Sequence, residues 1–260
     1  MMDAYDRVTA ARAKDRATGS YYINSVFDGF MEMHGDRRYG DDKAVVTGIA
    51  RLCGMPVTVV AHERGTTTKD KIARNFGSAH PEGYRKALRQ MKLAEKFHRP
   101  VICFVDTTGA YCGIGAEERG QGEAIAENIM EMMTLKTPII TVFIGEGGSG
   151  GALAFAAADE IWMLENAVYS VISPEGCASI LWKDESKARE AAQCLKMTAQ
   201  DLLDLDVIER IIPEEDSDAA LIAEKLKTQL YETILQKKQI EPEELLQKRY
   251  ERFRKFGAQE

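Results

Sequence analysis

Short continuous apolar runs alternate along the chain with stretches whose apolar residues recur every three or four positions. Residues 45–52 and 57–62 are apolar, and Cys53-Gly54-Met55-Pro56 separates them, which predicts a hairpin. Further strand-length runs lie at 101–105, 139–144, 160–164, 168–172 and 207–212. Helical periodicity appears at 21–34, where Tyr22, Val26, Phe30 and Met33 share a face, and at 84–98, where Ala87, Met91, Ala94 and Phe97 do. Helices are also expected at 117–134, 174–182, 185–195 and 199–205, and in a charged tail at 218–238 and 243–256. Residues 1–17 read as an exposed helix or a frayed start, and 63–75 as a polar loop.

In the middle of the chain the order is strand, glycine turn, helix, twice over, beginning at Val101 and Ile139. Such alternation means an α/β fold, with parallel strands and helices packed outside them. No segment rich in Gly, Pro or Ser divides the sequence. A single domain over 1–260 is therefore expected: an N-terminal helix within 1–20, a core over 21–215 and a helical C-terminal arm over 216–260.

Composition narrows the function. The 260 residues are 45% hydrophobic, enough for a sizeable core, and the formal net charge is -7. That balance argues against nucleic acid or an anionic membrane as the main partner. The five cysteines are scattered without a Cys-x-x-Cys pair, which suggests neither a disulfide framework nor a zinc site. Residues 1–20 are charged and lack the apolar segment of a signal peptide, and no apolar run is long enough to span a bilayer. A reducing, cytoplasmic setting is the expectation.

The candidate chemistry centres on Gly145-Glu146-Gly147-Gly148-Ser149-Gly150-Gly151, between the run 139–144 and a small-residue helix expected at 152–158. Glycines at a strand-to-helix turn uncover backbone N–H groups, and the helix dipole adds positive character. A second turn, Gly109-Ala110, follows the strand at 101–105. Backbone donors aimed at one point stabilise developing negative charge by about 3 kcal/mol each, so the two turns are candidate oxyanion donors. Three other readings compete. The spacing of Gly145, Gly147 and Gly150 fits a dinucleotide fingerprint, the glycines could serve close packing alone, and Gly147 to Gly151 matches Gly-x-Ser-x-Gly. A hydrolase triad would need a later histidine, and none follows His98. A Walker loop fails because Gly151 and Ala152 stand where Lys and Ser or Thr belong. Glu117, Glu118 and Glu146 are possible acids or bases. Arg64, Lys69, Lys71 and Arg74, interleaved with Thr66, Thr67 and Thr68, form a candidate anion clamp beyond a strand end; the alternative is a solvated charged loop.

Longer motifs resolve the choice. Residues 75–87 (Asn-Phe-Gly-Ser-Ala-His-Pro-Glu-Gly-Tyr-Arg-Lys-Ala), 113–121, 145–153 and 164–176 resemble the signatures of the carboxyltransferase α subunits of bacterial acetyl-CoA carboxylases. The likeness covers about 20–215. It implies a crotonase-like fold of repeated ββα units and an α2β2 enzyme. That enzyme passes a carboxyl group from carboxybiotin, borne by a separate biotin carboxyl carrier protein, to acetyl-CoA, yielding malonyl-CoA for fatty acid synthesis. It also implies a biotin carboxylase that charges the carrier, and a β subunit that brings the acetyl-CoA site and a zinc ribbon, with no metal in this chain. A carboxyl donor that supplies its own base fits the lack of a histidine catalyst. Under this resemblance the backbone of Gly150 and Gly151 would hold the ureido oxygen of biotin. Arg64 and Lys69 would meet the carboxylate, and Gly109, Ala110, Tyr111 and Gly148 would line the substrate. The chain departs from the family at Thr108 and Cys112, where prolines are common, and in the basic loop Glu63-Arg64-Gly65-Thr66-Thr67-Thr68-Lys69. The rival functions are a stand-alone acyl-CoA hydratase or isomerase, a biotin-dependent decarboxylase subunit, and a non-catalytic scaffold.

Overall fold

A computed structural model describes residues 2–214 and 218–257. Its strands are β1 (Asp28–Glu32), β2 (Val45–Leu52), β3 (Met55–His62), β4 (Val101–Thr107), β5 (Ile139–Gly148), β6 (Glu160–Leu164), β7 (Val168–Ser170) and β8 (Arg210–Ile212). They form one sheet in the order β1-β2-β3-β4-β5-β6-β8, and β7 pairs with the end of β5. The β1-β2 and β2-β3 pairs are antiparallel; every later pair is parallel. β4 is buried along its whole length, which is why it reads as an unbroken apolar run rather than an alternating one. The hairpin at Gly54 and the repeated strand–turn–helix units are where the pattern puts them.

Several expected boundaries move. The helical pattern of 21–34 is split: the helix Gly19–Val26 ends, Gly29 takes φ +60°, and Asp28–Glu32 becomes the edge strand. Strand pairing wins there because Gly48 of β2 leaves room for it; a Cβ on Gly48 would lie 2.1 Å from the Met31 carbonyl oxygen. The polar loop 63–75 contains the helix Thr68–Ala73, whose Thr67 side chain accepts from the Asp70 N–H. It buries no residue, so no apolar stripe marks it. The helix expected at 117–134 is two, Ile114–Glu118 and Gln121–Met132, broken by Gly120 at φ +80°. β5 runs on through Gly148, and the helix after it is Ser149–Leu153, not 152–158.

Both ends of the chain lie against this core. Residues 1–17 are not simply exposed or frayed: the helix Ala4–Ala11 buries Val8 and Ala11 beside Val168, Ala192 and Met197. The helix Ala219–Lys237 sets Ile222, Leu226, Leu230 and Ile234 into the main core, against the helix Gly19–Val26 and β8. From the last helix, Pro242–Arg254, the buried Arg249 donates to both Asp159 oxygens at 2.8 and 2.9 Å. It also donates to the carbonyls of Met132, Leu135 and Thr137. A buried guanidinium is tolerated only when its donors are matched in this way.

Candidate active site

The carboxyl ends of β3, β4 and β5 meet at one edge of the sheet, where parallel α/β proteins place ligands. β4 and β5 slip out of register there: Val105 faces Phe143, but Thr107 faces Gly147. Asp106 fills the irregularity. Gly145 makes that possible, since a Cβ on it would sit 2.3 Å from Asp106 Oδ1. That oxygen accepts from the Glu146 N–H and from Arg64 Nη1, each at 3.0 Å. Burial pushes the Asp106 carboxyl above the usual carboxylate range, against the pull of Arg64.

From Asp106 a ladder of alternating charge runs outward. Arg64 Nη1 is 3.3 Å from Glu146 Oε2, Arg12 Nε is 2.7 Å from Glu146 Oε1, and Arg12 Nη1 is 2.7 Å from Glu175 Oε1. Burial alone would lower the pKa of Arg64 and of Arg12; the facing carboxylates outweigh it and raise both. Glu146, a possible acid or base from sequence, is therefore bracketed by two guanidinium groups. Glu117 and Glu118 are exposed on the short helix Ile114–Glu118. Arg16 extends the N-terminal anchorage, donating to the Ile144 carbonyl at 2.6 Å and pairing with Glu214 at 3.0 Å.

The two glycine turns touch. A Cβ on Gly148 would lie 2.1 Å from the Thr108 carbonyl oxygen, and one on Gly151 would lie 2.6 Å from the Ala110 nitrogen and 3.0 Å from the Tyr84 hydroxyl. Gly109 has φ +146°, which favours glycine. Thr107 Oγ1 fixes that turn, accepting from the Gly109 N–H at 3.1 Å and donating to its carbonyl at 2.9 Å. Tyr111 donates its N–H to Ala79 O at 3.0 Å, and its ring stacks on His80 with centroids 4.1 Å apart. Ser149 bends the chain from β5 into the helix at φ 51°. Gly150 is the open member of the set: the nearest atoms to an added Cβ are those of Ile125, at 3.7 Å. Gly150 and Ser149 border an apolar cavity of about 370 Å³ with Leu153, Tyr169, Val171 and Leu205.

The structure thus brings together Gly109, Ala110, Gly148, Gly150 and Gly151, with Arg64 close by through Asp106 and Glu146. Lys69 stands apart: it is exposed on the helix Thr68–Ala73, whereas Lys71 shares a cavity with Arg64. Sequence reasoning missed Arg12, Asp106 and Glu175. Asp106, a lone carboxylate closing a buried apolar run, carried a readable signal; Arg12, in an apparently frayed start, carried none. Among the described residues, no group of three or more His, Cys, Asp or Glu is arranged to hold a metal ion, and no helix is long and apolar enough to cross a membrane.

A sheet of this order, with glycine turns at its carboxyl edge, is an α/β fold shared with crotonase-like carboxyltransferases of known structure. The chain superposes on transcarboxylase 12S with a TM-score of 0.68 and 21% identity, over 85% of this chain and 44% of that one. The family model for acetyl co-enzyme A carboxylase carboxyltransferase-like proteins matches residues 1–257, and the chain belongs to that family. It is 60% identical over 256 residues to the acetyl-coenzyme A carboxylase carboxyl transferase subunit alpha of Ruminiclostridium cellulolyticum, covering 98% of both chains. It is also 55% identical over 257 residues to the carboxyl transferase subunits beta/alpha of Natranaerobius thermophilus; 97% of this chain matches 42% of that longer protein.

Proposed function

We propose that this chain is the α half of a cytoplasmic acetyl-CoA carboxylase carboxyltransferase. It transfers a carboxyl group from carboxybiotin, carried on biotin carboxyl carrier protein and charged by a biotin carboxylase, to acetyl-CoA, forming malonyl-CoA. The observation that carries this reading is the junction of the two glycine turns beside an apolar cavity of about 370 Å³. A fused bicyclic ring fits an apolar pocket of that size, and its polar edge would face the backbone at Gly150. When bound, carboxybiotin would supply the transferable carboxyl group and, once that group has left as CO2, a ureido oxygen basic enough to accept the proton from acetyl-CoA.

This chain's residues bind and orient. The backbone N–H groups of Gly150 and Gly151 are the donors for the ureido oxygen, and the Gly109-Ala110 turn faces the same junction. Tyr111 and Gly148 border the substrate. Arg64 is the cation for the carboxylate in transit, held in place by Asp106 and Glu146; the exposed Lys69 adds long-range attraction only. Acetyl-CoA and its zinc-ribbon scaffold belong to a β partner, a reading supported by the relative in which β and α are one chain.

The test is reconstitution. The purified chain should show no carboxyl transfer alone, and should form malonyl-CoA when mixed with a β subunit and carboxylated carrier. Full transfer by the single chain would overturn the subunit reading. Decarboxylation of malonyl-CoA without any transfer would favour a decarboxylase subunit instead.

A further inference from the structure

Apart from Arg64 and the Asp106 that holds it, the carboxyl-transfer reading uses no side chain of a second cavity. It measures about 440 Å³ and opens between the N-terminal segment 11–18 and the loop after β3. Five of its lining side chains are cationic and one, Asp106, is acidic. Three of those cations are already matched: Arg12 by Glu146 and Glu175, Arg16 by Glu214, and Arg64 by Asp106 and Glu146. Lys14 and Lys71 are not; among the described residues no ion pair occupies either. Asp70, on the same short helix as Lys71, is taken by Arg74 at 2.7 Å. Thr66 and Thr68 add hydroxyl groups to the same wall.

The remaining wall is aromatic. Phe76 lines the cavity with 52% of its surface exposed. It sits in a run of three left-handed residues, Asn75 at φ 47°, Phe76 at φ 54° and Gly77 at φ 84°. A bulky residue in that conformation is an outlier, and such outliers persist where the surroundings over-determine them. Here they do. The Ser78 N–H donates to the Asn75 carbonyl at 2.9 Å, and Asn75 Nδ2 meets His80 Nδ1 at 3.0 Å. Gly77 lies so close to Arg64 that an added Cβ would be 2.7 Å from its Cγ. The turn is therefore fixed against Arg64, and it presents an apolar ring to a basic, hydroxyl-lined space.

An exposed aromatic face beside two unmatched ammonium groups and two hydroxyls is the chemistry that recognises a base with phosphates attached. We propose that this cavity is a nucleoside-phosphate site. The base stacks on Phe76, and the phosphates lie against Lys14 and Lys71, with Thr66 and Thr68 as hydrogen-bond donors. The occupant is a free adenine nucleotide; the 3′-phosphorylated ADP end of coenzyme A carries similar chemistry, but its thioester is placed on the β partner. Lys14, Lys71, Phe76, Thr66 and Thr68 carry the site, and none of them is assigned to the carboxyl donor.

Calorimetric titration of the full chain tests it, with ADP, adenosine 3′,5′-bisphosphate, coenzyme A, adenosine and inorganic phosphate as the probes. ADP should bind at least about tenfold more tightly than adenosine or phosphate alone, the scale of one base–aromatic stack. Phe76→Ala and the double variant Lys14→Glu/Lys71→Glu should each weaken ADP by about tenfold or more without moving the melting temperature, since all three side chains reach solvent. ADP should bind at least as tightly as the two 3′-phosphorylated probes, and a clear preference for those probes would overturn the assignment to a free nucleotide. Phosphate binding as tightly as ADP, no ADP binding at millimolar concentration, or variants that bind like the unaltered chain would each overturn the proposal.

Discussion

A Cβ on Gly151 would lie 2.6 Å from the backbone nitrogen of Ala110. The two glycine turns are therefore pressed together, and the space beside Gly151 is filled by protein. This changes what a side chain there would do. Gly151→Val must first separate the turns, at a cost of about 1–3 kcal/mol for overpacking. Its melting temperature should fall by about 2–4 °C per kcal/mol, and activity should be lost with it. A variant that melts like the parent chain would show that the turns can part freely.

Gly150→Ala is the cleaner probe of catalysis. Its methyl group meets only Ile125, at ordinary contact distance, so the melting temperature should not move. If the carboxyl donor lies against Gly150, kcat of the reconstituted complex should fall by about tenfold or more, toward the ~10²-fold cost of a lost oxyanion donor. Unchanged turnover would remove Gly150 from contact with the donor.

Arg64 pairs with two buried carboxylates, Asp106 and Glu146. Arg64→Ala leaves Asp106 without its cation and Glu146 with Arg12 alone, and a broken buried pair costs about 3–5 kcal/mol. Urea unfolding should register that loss. Arg64→Ala/Asp106→Asn should recover part of it, because the stranded carboxylate is then gone. If Arg64 also holds the migrating carboxylate, the double variant stays slow despite its restored stability. Recovery of kcat/KM along with stability would limit Arg64 to a structural role.

His62 gives the fold a pH dependence. It is completely buried beside Phe155, neither ring nitrogen has a partner, and burial pulls its pKa from 6.5 down to about 3. Below pH 6.5 the unfolded chain takes up a proton that the folded chain refuses. This histidine's contribution is therefore intact above that pH and is lost as pH falls toward 3, by about 1.4 kcal/mol per unit. His62→Leu removes the effect. The gap in urea stability between the Leu variant and the parent should shift in favour of the variant as pH drops from 6.5 to 4.5. A gap independent of pH would show that His62 does not titrate on unfolding.

Arg249 ties the last helix to the core through Asp159 and three carbonyl oxygens. Arg249→Ala strands the buried Asp159 and should cost about 3–5 kcal/mol in chemical denaturation. A loss below about 1 kcal/mol would mean that the helix Pro242–Arg254 is held mainly by other contacts.

The sequence by itself determined the elements that periodicity and turn chemistry can encode. The buried strands β2 to β6 appear as apolar runs, the hairpin is marked by Cys53-Gly54, and the helix Pro81–Lys96 begins at a proline. The long motifs at 75–87, 145–153 and 164–176 were enough to suggest the family. Tertiary structure decided what depends on residues far apart in the chain. Tyr21 to His34 carries a helical pattern, yet its second half becomes β1 because the edge of β2 offers backbone partners that no local pattern reports. The glycines at 148 and 151 suggested open backbone, but their neighbours at 108–110, some forty residues away, decide that two of them serve close approach and only Gly150 is open. Arg12 gave no sign of a role. Its partners Glu146 and Glu175 lie more than a hundred residues further on, and only folding turns these separate charges into a ladder at the site. Local chemistry fixes the conformation of each segment, whereas charge pairing and backbone contact across the sheet edge depend on long-range geometry that a linear pattern does not contain.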